Sequence, residues 1–463
     1  MLKKKTLAVC IALVLMVGMF APLFAQTFPT VDNVRLPNPP RSIRGMEIVI
    51  GNYWADYDTN TFQPRTDTEE RQLEWRRRIQ QQHGFTMRER NVASWNEMPQ
   101  VAATSIMAGR PVAHVFLLQA DWALSLYKQN LLFPVNTIRA NQSGVNLAAN
   151  ARNPIIEWNQ LILDTFTFNR NQYAFQIGYG GSLHGAVIFY NKRLFREAGL
   201  DPDLPYNLQR DGQWTWDRFL EVSKQLTRDI DNDGIIDTYA MPADLSTYIL
   251  DAIVSSNGAK YVDRDARTGR LINATGRPEF LEALQFAIRL QREGVMKPRP
   301  EGSNWDWYKG EFFDGRVAMR IETEYVRQEL AGMRDDWGMV MPPRGPRARE
   351  FVVYTSENVM VIPSTFSRDQ VEAIMWAVQA WNVSVDSDWR LGLYHVFRDI
   401  RAVNETLAII RDPRRQQFKN YLLVPGLQRG NIAWEMWWFD GEPAQLIESV
   451  SQSWDLRIED ANE

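Results

Sequence analysis

The 463-residue chain contains one cysteine, Cys10, so it cannot close a disulfide within itself. It has to hold together by core burial, and at 45% hydrophobic residues it has the material. Histidine is also scarce: His83, His114, His184 and His395 stand at no metal-ligand spacing, which leaves zinc catalysis unsupported. Beyond the first residues no run is apolar enough to cross a membrane, and there is no internal repeat or low-complexity tract. Charge of one sign is missing too, with 52 basic against 56 acidic side chains. The run Arg76-Arg77-Arg78 lies at helical spacing from Glu69, Glu70 and Glu74, which fits a solvated helix face and not a nucleic-acid patch.

The first residues have the form of an export signal. Lys3, Lys4 and Lys5 precede an apolar run over 7–20, then Leu23-Phe24-Ala25 stands before Gln26, so residues 1–25 are expected to be cleaved near Ala25. The run is shorter than the roughly 20 residues of a membrane-spanning helix. Leu7-Ala8-Val9-Cys10 makes a poor lipoprotein box because Val9 is bulky where a small residue is wanted. Cys10 would leave with the signal, and a large exported chain without disulfides suits a bacterial periplasm.

Residues 46–50 read as a buried strand running into Gly51-Asn52-Tyr53-Trp54. A helix over 68–82 should stop at Gly84, followed by a strand over 85–92, a helix over 97–107 stopping at Gly109, and a strand over 113–118. This alternation predicts a doubly wound α/β sheet with ligands outside the carboxyl ends of the strands. Trp54 and Asp121-Trp122, each just past a strand, would then face one cleft. Later, 351–362 is strand-like and Ser367 with Gln370 forms a capping-box pattern ahead of an amphipathic helix.

One block is more specific than periodicity: Tyr190-Asn191-Lys192-Arg193-Leu194-Phe195, Ala198-Gly199-Leu200, then Thr215-Trp216-Asp217-Arg218-Phe219. It resembles the signature of the family 1 extracellular solute-binding proteins, the group that includes maltose-binding protein. Phe312 to Met319 (FFDGRVAM) and Trp337 to Gly345 (WGMVMPPRG) match further motifs in order, whereas Ala113-His114 departs from the usual Pro-Asp. The resemblance implies a type II periplasmic-binding-protein fold, two α/β lobes joined by a hinge, at about 45–182 with 352–400 and 183–351 with 401–463. It implies a monomer that captures a solute between the lobes and passes it to the permease of an ABC importer, with no catalytic residues.

Tryptophan is abundant, at 17 residues, and clusters at Trp305 and Trp307 and at Trp434, Trp437 and Trp438. Aromatic faces with nearby carboxylates and amides are what a sugar binder needs. The resemblance puts Asp121 where an aspartate contacts sugar hydroxyls, with Trp122 beside it. His184 stands where an acidic ligand contact is usual, which points to a different solute. Glu322, Glu324, Tyr325 and Trp434 fall at or near its stacking positions. Trp54, Asp244, Tyr248, Glu357 and Trp437 complete the candidate set.

The segment Thr227 to Ala240, TRDIDNDGIIDTYA, has EF-hand-like spacing. Asp229, Asp231, Asp233 and Asp237 fill side-chain positions, Ile235 would offer its carbonyl and Gly234 the turn, but Ala240 stands where a bidentate Glu belongs. Structural calcium and a metal-free Asp/Asn/Gly turn both remain open. Of other functions, Gly180-Gly181-Ser182-Leu183-His184 fails the nucleophile-elbow pattern at its last residue, and the nearby glycines lack the Lys-Ser/Thr of a phosphate loop. A secreted carbohydrate-active hydrolase, a solute sensor for a signalling receptor and a calcium-dependent interaction module are the alternatives.

Overall fold

The computed structural model describes residues 28–138, 155–178, 186–243, 247–304, 306–354, 357–427, 429–438 and 441–463. The signal segment, the 180–184 elbow candidate, Trp305 and the site candidates His184 and Asp244 lie outside them.

The first half alternates as the periodicity predicts: β1 (Glu47–Asn52), α1 (Asp67–His83), β2 (Thr86–Asn91), α2 (Met98–Met107), β3 (Val115–Gln119) and α3 (Ala120–Lys128). Thr66 accepts from the Glu69 backbone at 3.1 Å to start α1, and three acidic residues sit at the positive end of its dipole. Gly84 ends α1 at φ 70°, a conformation costly to a residue with a Cβ. The arginines of α1 do more than face solvent. Arg76 stacks 4.5 Å from the Trp381 ring centre, Arg78 lies over Trp75, and Arg77 donates to the Thr59 carbonyl.

Strands β2, β1 and β3 pair in parallel, and Asn358–Val361 adds antiparallel to β3 from far along the chain. Gly51 is needed in β1, because a Cβ there would lie 2.7 Å from the Ala113 Cβ. One face of the sheet buries Ile48, Ile50 and Val115 against Trp75, Ile79, Trp376 and Trp381, and the other packs Phe116 and Leu118 on Ala102, Ile106 and Ala123. Each large apolar side chain so buried contributes about 1.5–3 kcal/mol. Both faces are covered, as a doubly wound sheet requires.

The second sheet centres on β4 (Ala186–Asn191). After α4 (Trp216–Leu226), capped by Thr215, come β5 (Met241–Pro242), α5 (Thr247–Ser256), α6 (Pro278–Arg292), β6 (Met296–Lys297), β7 (Met319–Thr323) and β8 (Trp337–Val340). Strands β7 and β8 flank β4, both antiparallel, while β5 and β6 pair in parallel. Backbone bonds from Ala318 and Met319 to Tyr239 and Ala240 join the two groups.

The chain returns to the first sheet through β9 (Val353–Tyr354) and β10 (Asn358–Val361), the latter being the antiparallel strand beside β3. Then α7 (Arg368–Trp381) starts at the Ser367 capping box and packs on α1. By Arg398 and Asp399 the chain leans on the second sheet, through the Met333 carbonyl and Lys192. Strand β11 (Gln416–Gln417) pairs in parallel with β9, so two strands cross side by side between the sheets. Helices α8 (Gly430–Trp438) and α9 (Pro443–Asn462) close the chain against α5 and α6.

Candidate functional site

The carboxyl ends of β1, β2 and β3 carry a connected group of aromatic rings. Asn52, fully buried at the end of β1, accepts from the backbones of Trp54 and Ala55 at 3.0 and 3.1 Å, folding the loop so that Trp54 is left 47% exposed. Tyr53 meets Trp54 and Trp122 edge-on at 4.9 and 5.5 Å, and Trp122 meets Trp95 at 5.5 Å. Trp95 follows β2 and is 52% exposed.

Polar groups sit among these rings. The Tyr53 hydroxyl donates to Asn358 at 2.7 Å, and burial raises its pKa, with Asp121 and Glu357 also contributing. Asp121, in the first turn of α3, has a buried Oδ1 without a hydrogen-bond partner in this structure; burial first, and the charge of Glu357 as well, push its carboxyl above the usual range. Glu357 hangs from the crossing segment. Its backbone carbonyl accepts from Ala120, and its Oε1 takes Lys419 at 2.6 Å.

From the other sheet, Tyr248 at the start of α5 is 40% exposed, and its hydroxyl is raised by burial and then by the fields of Glu357, Tyr325 and Glu322. Those residues therefore converge from both sheets. Arg429 bonds Asp251 at 3.1 Å and stacks 4.3 Å from the Tyr421 ring centre; burial opposes its charge, but Asp251 and the tyrosines raise its pKa on balance. One turn beyond, Trp434 and Trp438 are 46% and 40% exposed with centroids 5.2 Å apart, and Arg299 lies over Trp438.

The structure thus gathers Trp54, Asp121, Trp122 and Glu357 at one sheet edge, and Tyr248 lies within electrostatic reach of Glu357 and of Tyr325. Trp437 is 4% exposed and belongs to the core; Trp438, a residue later, is the one that faces out with Trp434. Glu324 is buried and paired with Arg327. Sequence reasoning missed Tyr53, Trp95, Asn358, Lys419, Arg429 and Trp438. Trp95 was within reach, since it follows a predicted strand as Trp54 and Trp122 do. Cavities of about 570 Å³ between α8 and α9 and about 590 Å³ at the amino ends of β1 and β2 lie apart from this cluster.

In the acidic loop, carboxylate oxygens of Asp229, Asp231 and Asp237 lie within 4.8 Å of one another. The loop also caps itself: Asp229 accepts from Gly234, Asp231 from Asp233, Asp233 from Ile235 and Asp237 from Ile230. One oxygen of Asp229 is buried without a partner in this structure. Gly234, at φ 90°, turns the loop.

A two-sheet α/β protein joined by crossing strands, with exposed aromatics at strand ends, is a binding protein of the periplasmic type II class. Residues 90–377 match the family of bacterial extracellular solute-binding proteins, and the chain belongs to that family. No curated protein matches it in sequence. Among solved structures, the cyclic alpha-maltosyl-1,6-maltose binding protein of Arthrobacter globiformis is 14% identical, with a TM-score of 0.59 over 89% of this chain and 99% of that one. UgpB from Mycobacterium tuberculosis in complex with glycerophosphocholine is 16% identical, TM-score 0.61, over 88% and 98%. The maltose/maltodextrin-binding domain MalE from Bdellovibrio bacteriovorus bound to maltotriose is 11% identical, TM-score 0.58, over 89% and 99%. At these identities the likeness shows the fold.

Proposed function

We propose that this protein captures a carbohydrate between two lobes and delivers it to an ABC importer. The observation that carries the reading is the set of exposed rings at the carboxyl ends of β1, β2 and β3, with Asp121 and Glu357 among them. Ring faces stack on the apolar C–H surface of a sugar, and a carboxylate with an unmet oxygen accepts its hydroxyls. The solved structures bound to maltotriose and named for binding cyclic alpha-maltosyl-1,6-maltose support the same reading. The lobes are residues 45–182 with 352–400 and 183–351 with 401–463, and closure is a hinge motion about the β9 and β11 crossing. The protein is exported to the periplasm after cleavage near Ala25, acts as a monomer and catalyses no step. Tryptophan fluorescence titrated with mono- and oligosaccharides should change saturably. Silence toward every sugar, together with binding of a peptide or an ion, would sink the carbohydrate assignment.

Structural calcium belongs to the same reading. Asp229, Asp231, Asp233 and Asp237 with the Ile235 carbonyl would hold the ion, supported by the three converging carboxylates and the orphaned Asp229 oxygen. Ala240 supplies no carboxylate, so binding should be weak. Calorimetry on metal-stripped protein decides, and no heat with no shift in melting temperature leaves a self-capped turn.

A further inference from the structure

We propose that a cavity beside the chain crossing binds a phosphate group, carried by free inorganic phosphate or by a small phosphate monoester. The proposal stands apart from the carbohydrate reading, for this cavity of about 350 Å³ shares no residue with the aromatic cluster. Its walls come from the end of the short helix Leu204–Arg210 with the turn after it, the connection from β8 to β9, the stretch 405–409, and the residue just before β11. Four arginines, Arg210, Arg344, Arg349 and Arg415, line it with two glutamates, Glu350 and Glu405. The surplus of positive charge equals the charge of about −2 on a phosphate monoester. Carboxylates just outside do not cancel that surplus, because each is already matched. Arg210 pairs with Asp211 at 3.0 Å, Glu405 takes Arg401 through bonds of 2.6 and 3.0 Å, Glu350 holds Arg415, and Asp412 is shared by Arg414 and Arg415. Arg344 and Arg349 are left without a carboxylate partner among the described residues.

Arg344 is already positioned to receive such a group. Its backbone N–H donates to the Trp214 carbonyl at 2.9 Å, and its carbonyl accepts from Trp216 at 3.0 Å, at the start of α4. Its guanidinium donates to the carbonyls of Arg349 and Gly212 at 2.7 and 2.5 Å and lies 5.6 Å from the Phe351 ring centre. Carbonyls and a ring bring only partial charges, so the guanidinium is oriented but not neutralised. Its Nε is buried with no hydrogen-bond partner in this structure, a cost that an arriving oxyanion would offset. A planar fork fixed in place with its charge unmet suits bidentate recognition of phosphate, and little rotamer entropy remains to be lost on binding. Arg349 is exposed and adds the second unmatched charge at the rim.

The test is a calorimetric titration of the full exported protein with inorganic phosphate and with glycerol phosphate, in mildly alkaline buffer, against chloride at matched ionic strength. Phosphate should bind saturably at one site per chain. Arg344→Gln should weaken it at least about tenfold. Arg349→Gln changes an exposed side chain, so it should weaken phosphate by about threefold or more while leaving the melting temperature unchanged. Trp54→Ala, in the aromatic cluster, should leave phosphate affinity within about twofold, because the two sites share no residue. Tighter binding of glycerol phosphate assigns the cavity to a monoester, and equal affinities assign it to free phosphate. No heat beyond that of chloride, binding that neither arginine variant weakens, or binding lost with Trp54→Ala overturns the proposal and leaves the carbohydrate reading intact.

Discussion

Replacing Lys419 with methionine removes one half of an ion pair sealed at the crossing between the two sheets. The side chain of Lys419 is 3% exposed and that of Glu357 12%, with Nζ 2.6 Å from Oε1 and 5.4 Å from the Tyr354 ring centre. Methionine fills a similar volume, so the cavity contribution is small and the loss is electrostatic. Removing one partner strands a carboxylate in a poorly solvated place, at a cost of about 3–5 kcal/mol. Glu357→Gln should cost a similar amount by stranding the ammonium. The double variant should recover most of the loss, because both charges leave together, giving a coupling of about 2 kcal/mol or more. Urea unfolding of the four proteins measures this, with an unchanged slope as the check that the shifted midpoints report stability. Single variants costing under about 1 kcal/mol each, with additive effects, would show that the pair behaves like an exposed surface bridge and refute the argument.

Three further outcomes follow from the geometry. Burial raises the Asp121 carboxyl, so its ionisation penalises the folded state; the penalty is absent below the ordinary carboxylate range near pH 4, grows as pH climbs to the raised folded value, and stays constant above it. Asp121→Asn should therefore melt higher than wild type at neutral pH, lose that advantage on acidification, and bind sugar more than tenfold worse; equal melting gains at both pH values would contradict it. Trp434→Ala removes a ring that is 46% exposed, so it should leave stability within about 0.5 kcal/mol by thermal melt while weakening ligand about tenfold by titration. Gly338→Ala would put a Cβ 2.4 Å from the fully buried Tyr190 ring, so unfolding midpoints should fall by the equivalent of at least 1–3 kcal/mol.

Much of the first sheet was legible because its signals are local. The apolar run at 46–50, the turn glycine at 84 and the tryptophans past strand ends each act within a few residues. The second sheet was harder to read: β5 and β6 are two residues long, and β4 has antiparallel neighbours that alternation alone would not predict. Site partners from distant segments were the least legible. Lys419 with Glu357 and Arg429 with Asp251 are ordinary charged residues until the chain crossing buries them together.

The sequence by itself determined the caps at Thr66, Thr215 and Ser367, because each is a hydrogen bond closed within three residues whose enthalpy needs no distant partner. It determined the faces of α8 as well, since Trp434 and Trp438, one turn apart, must share one. Tertiary structure alone decided which face turned outward, for that depended on packing against α5 and α9, and it is why Trp437 is core and Trp438 is surface. It likewise brought Asn358 to Tyr53 across 305 positions, a contact whose chain-closure entropy is met by the burial of both sheets together.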